Sequence, residues 1–355
     1  MKKFLKVLWI LAACMACLGV LVTALGVTWS LRVADRLTPE KSVPVSFPMD
    51  MLTVQQLQID LGVGDVQFIV DDEARIEATG FTADDLSISQ NGGAVNVAGR
   101  DPVGGTHLLN LGFFRIDWLG RVHVGSLEKR MVTVYLPQRT YLDTLDVDVT
   151  TGDVTGELSL FAENASFDST TGDLTLEDFS CTNLLCGSNT GNISLDDVTS
   201  TQYAELSCNT GDLTLTDCKW HDFSFNGSTG MLALRECSAD NSASFHHRTD
   251  DLLITGGSWN DLVIDITTGN AEFAGHLTGD CRITATTGSV KLTLDETHDS
   301  YTASLRTSTG DADVKNAFYK PIDKKEYAVN PGISAPNSIE IDVSTGDITL
   351  IFAQN

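Results

Sequence analysis

The tripeptide Thr-Gly-Asp, exact or slightly changed, recurs through most of the chain and is first complete at Thr151-Gly152-Asp153. Later copies place their central residue at Gly172, Gly191, Gly211, Gly230, Asp250, Gly269, Gly288, Gly310 and Gly346. Successive central residues are 20, 19, 20, 19, 20, 19, 19, 22 and 36 positions apart. A nearly fixed period of this length is typical of stacked repeats, so it restricts the chain to repeat architectures.

Apolar and polar residues alternate on both sides of each glycine. Around Gly172 the apolar positions are Ala165, Phe167, Leu174 and Leu176, and the other copies keep the same columns. Alternation with period two predicts a strand on each side. Glycine suits the corner between them because it reaches positive φ without a Cβ penalty, and a flanking Asp or Asn can hydrogen-bond the local backbone.

One repeat cannot bury its apolar edge alone, so successive repeats should stack with like columns in register. The sequence therefore predicts an all-β fold, a parallel β-helix-like β-solenoid of about ten coils of 19–20 residues. Its interior would be ladders of Leu, Ile, Val and Phe, and its exterior would carry Thr, Ser, Asp and Glu.

An uncharged run from residue 7 to 31 precedes the repeats and is long enough to cross a bilayer as one helix. Lysines cluster before this run, which predicts a cytoplasmic tail of residues 1–6, a single-pass anchor and an extracellular remainder at the cell membrane. A cleaved signal peptide and a lipoprotein signal ending at Cys14 are the alternatives. The apolar run continues well past Cys14, and no clear cleavage site ends it.

The remaining segments are assigned from composition and alternation. Residues 32–55 are predicted as a stalk, and residues 56–140 as N-terminal β coils that begin with a first coil around Gly64 and carry a capping insertion at 99–130. Residues 141–355 form the regular solenoid, interrupted by an insertion at 315–338. That insertion holds a lysine cluster and is interpreted as a solvated loop, with contact to an anionic polymer or lipid headgroups as the alternative.

An aromatic and apolar cluster within the insertion at 99–130 contains Phe113, Phe114, Trp118 and Leu119. Solenoid ends expose apolar ladders that need covering, so the first interpretation is an end cap. The second interpretation is a patch for a protein partner or a membrane surface.

The Asp column directly after the glycines is the candidate metal site. Its members are Asp153, Asp173, Asp212, Asp311 and Asp347. Local turn chemistry explains such a column, whereas calcium bound along a row of stacked oxygens is the alternative. No other cofactor is expected.

Cysteines and histidines give no zinc or nucleophile pattern. Cys218 and Cys237 both lie seven positions after a central glycine in adjacent repeats, so either a stacked pair or a disulfide is expected. His246 and His247 are neighbours in a predicted strand and would point to opposite faces. The formal net charge of -25 excludes an ordinary nucleic-acid binder, which presents Lys and Arg to phosphates.

The repeats, the apolar start and the alternating stretch at residues 132–137 resemble a bacterial putative-adhesin family of unknown function. The resemblance implies a β-solenoid with a surface role and no catalytic residues. We expect a membrane-anchored adhesin or surface scaffold that binds a glycan, the cell wall or a protein, and not an enzyme. The alternatives are an accessory of envelope-stress sensing that works through a membrane partner, and a carbohydrate-active β-helix enzyme, although coils of uniform length leave little loop for a cleft.

Overall fold

A computed structural model describes residues 44–51, 53–82, 85–99, 107–110, 114–117, 122–124, 129–317, 319–321, 326–330 and 335–354. Regular structure among them is β-strand throughout, apart from the single 3-10 turn His298–Ser300. The predicted tail 1–6, anchor 7–31 and most of the stalk 32–55 lie outside these residues. Within the described part of the chain, no helix has the length and apolar character needed to span a bilayer.

The strands fall into three groups along the chain. The N-terminal strands are β1 (Val45–Pro48), β2 (Gln56–Val63), β3 (Asp65–Val70), β4 (Arg75–Thr79), β5 (Leu86–Asn91), β6 (Ala94–Gly99), β7 (His107–Asn110), β8 (Phe114–Asp117), β9 (Val122–Val124) and β10 (Met131–Leu136). The regular array contains β11 (Thr140–Thr151), β12 (Val154–Thr171), β13 (Leu174–Thr190), β14 (Ile193–Thr210), β15 (Leu213–Thr216), β16 (Lys219–Thr229), β17 (Leu232–Arg235), β18 (Ser238–Thr249), β19 (Leu252–Asn260), β20 (Leu262–Thr268), β21 (Ala271–Thr278), β22 (Asp280–Thr287) and β23 (Val290–Leu294). The C-terminal strands are β24 (Tyr301–Thr309), β25 (Ala312–Lys315), β26 (Tyr319–Pro321), β27 (Glu326–Val329), β28 (Asn337–Thr345) and β29 (Ile348–Ile351).

Each regular coil has three faces, which are defined here on the coil that contains Gly152. Face A is the segment before the glycine (145–151), face B the segment after it (154–157), and face C the segment after a second corner (160–162). All three pair in parallel and in register with the next coil, as shown by Leu145 opposite Ala165, Val154 opposite Leu174, and Leu160 opposite Phe179. The predicted parallel β-solenoid is therefore confirmed.

The two corners of a coil use different chemistry. At the glycine corner, the amide of Gly152 donates to Thr171 O at 2.9 Å and the amide of Val154 donates to Asp173 O at 2.9 Å, so the ladder continues around the bend. The second corner was not predicted. It is formed by a residue with positive φ, mostly acidic, and the successive examples are Ser159, Asp178, Asp197, Asp217 and Glu236.

The core lies inside the coils and consists of the predicted apolar columns. Phe167, Leu206 and Phe245 of the column five before the corner are at most 1% exposed. Aromatic side chains pack between and within coils in the middle of the array: the ring centroids of Phe223 and Phe245, in adjacent coils, are 5.2 Å apart, and those of Phe245 and Trp259, in one coil, are 5.8 Å apart. Burial of these columns stabilises the stack, because apolar area removed from water contributes roughly 25 cal/mol per Å².

The last coil in the chain is not the last coil in the stack. Ile341 of β28 lies opposite Ile283 of β22 on one side and Leu305 of β24 on the other. Strand β29 is likewise between β23 and β25. The expectation that coils stack in chain order is therefore wrong after β23, because the C-terminal coil is intercalated between its two predecessors.

At the end of the stack formed by β24, the described strands of the insertion at 315–338 continue the sheet. Strand β27 pairs antiparallel with β24, placing Leu305 opposite Tyr327, and β26 pairs antiparallel with β27. The Asn330 side-chain amide donates to His298 O at 2.7 Å and to Tyr301 O at 2.9 Å, which fixes the segment to the coil. A solvated loop is thus the wrong description of residues 326–330, which pair with or bond to the last coil of the stack, and of residues 319–321, which pair with β27.

The first predicted coil around Gly64 is present, since Ile59 of β2 lies opposite Val147 of β11. On its other side β2 pairs with β6, and β3 pairs with β10, which in turn pairs antiparallel with β4. Strands β7, β8 and β9 belong to a separate compact unit that includes residues 102–128, and they form an antiparallel three-stranded sheet of their own. The capping role expected for 99–130 stays a prediction.

Candidate functional site

A polar groove runs along the outside of face A across successive coils. Its volume is about 810 Å³. One wall is the column four before the corner, with Asp148, Asp168, Gly187, Ser207, Asn226, His246, Asp265 and Thr284, and the other is the column two before it, with Thr170, Asn189, Asn209, Ser228, Arg248, Thr267 and Thr286. Long loops are not needed to build it, because the period of two places both columns outside.

Each coil adds one residue to each column of the groove, and most of these residues are polar. Asp148 lies opposite Asp168, Ser207 opposite Asn226, and His246 opposite Asp265, because the coils are in register. Neighbouring rungs of a sheet are roughly 4.8 Å apart, so polar groups are presented at that spacing along the groove. Hydroxyl, amide and carboxylate groups dominate; the hydroxyls and amides donate and accept hydrogen bonds, and the carboxylates accept them.

One end of the groove is acidic. Asp60, Asp148 and Asp168 occupy one column in three successive coils. Partial burial, followed by repulsion from Asp60 and Asp146, raises the pKa of Asp148. Partial burial also raises the pKa of Asp168, and repulsion from Asp148 and Asp146 adds to it. This end therefore disfavours further negative charge.

The middle of the groove holds its histidines. Nδ1 of His246 lies 3.0 Å from Oδ2 of Asp265, and Oδ1 of the same carboxylate accepts a hydrogen bond from the Thr284 hydroxyl. The His247 imidazole is 4% exposed and neither ring nitrogen has a hydrogen-bonding partner. Burial lowers the pKa of His247, so its ring is neutral near pH 7. The two neighbours point to opposite faces, as predicted.

The predicted Asp column forms a ladder of side-chain to backbone hydrogen bonds. The amide of Asp173 donates to Asp153 Oδ1 at 2.9 Å, and the amide of Asn192 donates to Asp173 Oδ1 at 2.7 Å. Asp212 Oδ1 accepts from the amide of Met231 at 2.8 Å. Each acceptor serves the next coil, which explains why both Asp and Asn occur in the column.

The intercalated coil changes the order in which the coils join this ladder, but the hydrogen bonds still run from a backbone amide to a side-chain oxygen of the neighbouring coil. The amide of Asp347 donates to Ser289 Oγ at 3.2 Å, and the amide of Asp311 donates to Asp347 Oδ1 at 2.9 Å. Among the described residues, no group of three or more His, Cys, Asp or Glu is placed to hold a metal ion. Calcium along the column stays a prediction.

The repeat architecture agrees with a known family. A sequence profile described as Toastrack DUF4097 matches residues 54–351, which include the groove and the ladder. The chain belongs to this family. The resemblance to a putative-adhesin family of unknown function is thereby confirmed.

No curated protein matches this Toastrack chain. Solved structures similar to it include a "putative adhesin" from Parabacteroides distasonis, with 10% identity and a TM-score of 0.42, which covers 87% of this chain and 97% of that one. A "putative adhesin" from Bacteroides fragilis has 9% identity and a TM-score of 0.33, with 87% and 97% covered. A "putative lipid binding protein" from Parabacteroides distasonis has 13% identity and a TM-score of 0.38, with 86% and 96% covered.

The predicted partner patch falls where little of the Toastrack chain is described. Phe113, Trp118 and Leu119 lie outside the described residues, and Phe114 is the first residue of β8. A patch at these positions stays a prediction.

A second acidic row was missed at the sequence level. Glu157, Glu177, Asp178, Asp196, Asp197 and Asp217 line a hollow of about 680 Å³ at the second corner of the Toastrack coils. The signal was present, since an acidic residue recurs six positions after Gly172, Gly191 and Gly211. These residues follow the corner geometry, with φ of 52° at Asp178 and 50° at Asp197.

The cysteines that the structure describes are free and buried, and they are Cys181, Cys186, Cys208, Cys218, Cys237 and Cys281. Of the two arrangements expected for Cys218 and Cys237, the stacked pair of thiols is the one present. Their 0% and 1% exposure places both in the core of the Toastrack solenoid.

Proposed function

We propose that this chain is an adhesin-type surface module whose face A groove binds an extended, polyhydroxylated polymer such as a glycan. The observation that carries the proposal is the groove of about 810 Å³ with two polar columns repeated coil by coil. A linear polymer of similar units can meet a polar side chain at most rungs, so many weak contacts add up along its length.

Charge narrows the class of polymer. Asp148, Asp168 and Asp265 supply carboxylates to the groove, and Arg248 is its one arginine or lysine among the described lining residues. The chain as a whole has a formal net charge of -25. Uronate-rich or sulfated polymers would be repelled on approach, so a neutral or amine-bearing glycan fits the groove better.

The membrane anchor at residues 7–31, the cytoplasmic tail 1–6 and the extracellular position of the domain belong to the same proposal. The uncharged run of residues 7–31 and the lysines before it support this topology. A protease added to intact cells should remove the domain. If the domain survives on intact cells and is digested only after lysis, this topology is wrong.

Binding is tested with the full-length chain in detergent on an array of neutral, amine-bearing and uronate-bearing linear glycans. We expect saturable binding to at least one neutral or amine-bearing polymer and none to the uronate set. Asn226→Tyr fills the groove and should weaken that binding at least about tenfold, since it removes contacts with several units at once. Ser194→Tyr, on face B outside the groove, is the matched control and should bind normally.

The same array separates binding from catalysis. Bound polymer recovered with unchanged length supports a binding module, whereas release of shorter products would favour the carbohydrate-active alternative. Absence of binding to every polymer would overturn the groove as a glycan site. Co-purification of the chain with a membrane sensor, together with no glycan binding, would favour the stress-sensing alternative.

A further inference from the structure

Cys218 and Cys237 are stacked directly on each other in adjacent coils. Lys219 lies opposite Ser238 in the pairing of β16 with β18, and the amide of Ser238 donates to Cys218 O at 2.9 Å. The two cysteines are therefore separated by one inter-strand step of about 4.8 Å. Disulfides join residues whose Cα atoms are about 4.4–6.8 Å apart, so the backbone already meets this requirement.

The two thiols contact each other inside the core. Both side chains are buried, Cys218 Sγ donates to Thr216 O at 3.2 Å, and Cys237 Sγ donates to Arg235 O at 3.3 Å. The interaction between the neighbouring thiols raises the pKa of Cys218 and lowers the pKa of Cys237. Because the thiolate is the nucleophile in disulfide exchange, the thiol of this pair that loses its proton reacts first.

The other described cysteines are placed differently. Cys181 donates to Thr199 O at 3.7 Å, and Cys208 donates to Gly191 O at 3.4 Å. Burial raises the pKa of Cys181 and of Cys281 to about 12, and that of Cys208 to about 11. These thiols are protonated at neutral pH and act as small apolar groups.

We propose that Cys218 and Cys237 form an intramolecular disulfide when the chain meets a small-molecule or protein disulfide as oxidant. The thiolate of one of the two cysteines attacks the oxidant disulfide, which gives a mixed disulfide and one released thiol. The thiol of the other cysteine, losing its proton to the released thiolate or to solvent, attacks the protein sulfur of the mixed disulfide and releases the second thiol. Two protein thiols are oxidised and one external disulfide is reduced to two thiols, so the step balances.

The disulfide would lie in the core and would join two coils whose face A segments line the middle of the groove. The coil entered at Gly211 contributes Ser207, and the coil entered at Gly230 contributes Asn226. A covalent link between them fixes the register of these groups and restricts the unfolded chain. Its formation in the cell rests on the extracellular location under the proposed function, whereas its chemistry on the purified chain does not.

The test uses the reduced full-length chain, incubated in a mixture of oxidised and reduced glutathione with mild urea to allow local opening. Free thiols are blocked with N-ethylmaleimide, and the chain is cut with trypsin and with a protease that cleaves before Asp. Cleavage at the neighbouring Asp217, Lys219, Arg235 and Asp240 leaves peptides 217–219 and 236–239, each with one cysteine. We expect these two peptides joined, and a Tm that rises by roughly 6–9 °C and falls again with reductant.

Cys237→Ser should lose both the joined peptides and the redox dependence of Tm, whereas Cys208→Ser should keep both. Cys208 is 2% exposed and so is a matched buried control. Absence of the joined peptides after incubation, or linkage of Cys218 or Cys237 mainly to another cysteine, would overturn the proposal. Glycan binding is measured separately, so its failure leaves this result interpretable.

Discussion

Met231 and Asp250 occupy successive coils, and the carboxylate of Asp250 supplies the hydrogen bond that the side chain of Met231 cannot. The ladder reaches Met231, whose amide donates to Asp212 Oδ1, and stops there because Met has no acceptor. In the next coil, the amide of Asp251 donates to Asp250 Oδ1 at 3.2 Å instead. Asp251 Oδ1 then accepts from the amide of Asn270 at 2.7 Å, and the ladder resumes. Two irregular repeats therefore compensate for each other.

This compensation predicts coupling between the two positions. Asp250 has a φ of 109°, in a position where other coils have glycine, so Asp250→Gly relieves backbone strain but removes the acceptor for Asp251. In a Met231→Asn background the acceptor is restored. We expect Asp250→Gly to be about 1 kcal/mol more favourable in that background than alone. Thermal unfolding of the four variants measures this, and additive effects would contradict it.

The ladder also separates turn chemistry from calcium binding at Asp173. Asp173→Ala removes the acceptor of the Asn192 amide and should cost about 1 kcal/mol, whereas Asp173→Asn retains Oδ1 and should be nearly neutral. Calcium titration of the same variants tests the ladder as a site. Saturable heat in the unmodified chain that disappears in Asp173→Asn would establish calcium binding there, and no heat would leave hydrogen bonding alone.

Close contact between corners disfavours any side chain at most of the corner glycines. Gly191 has a φ of 146°, and a Cβ at this position would lie 2.0 Å from Gly172 O. Gly191→Ala should destabilise the solenoid by more than about 3 kcal/mol, since the backbone of two coils must move apart. Gly92 has a φ of 61°, and a Cβ added there would meet nothing within 4 Å, so Gly92→Ala is the control. Equal losses of Tm in both variants would show that contact between corners is not the cause.

The stacked coils could be predicted because each inward column has only one alignment that buries it. The apolar columns that contain Phe167 and Leu174 lie five before and two after the central residue in every copy, and this spacing fixes both the register of the coils and the face that is buried. The order of the coils within the stack could not be predicted in the same way. Ile341 pairs equally well with Ile283 or Leu305, since all are apolar residues of one column, so the pattern could not show that the last coil lies between its predecessors.

The candidate groove could be predicted only in part. The alternation places Asp168, Asn226 and His246 outside, but polar residues on an outer face are the normal condition of a soluble strand. What distinguishes them is the concave path of face A and the pairing of His246 with Asp265, which depend on three-dimensional curvature and side-chain conformation. A repeat pattern carries neither of these.

Asp168 gives the groove a pH dependence with a definite sign. Its pKa is raised above 3.8 in the folded chain, chiefly by partial burial and then by Asp148 and Asp146. The folded state therefore binds more protons than the unfolded state above pH 3.8, and stability falls as pH rises through the folded pKa. Well below pH 3.8 both states are protonated and the penalty vanishes. Asp168→Asn should raise Tm by roughly 1–3 °C at pH 7 and leave it nearly unchanged at about pH 3, the effect being small because solvent screens a carboxylate that is only partly buried. Asp240→Asn, at another exposed position, is the control and should show no such difference between the two pH values. A gain in Tm from Asp168→Asn that is as large in acid as at neutral pH would show that charge is not its cause.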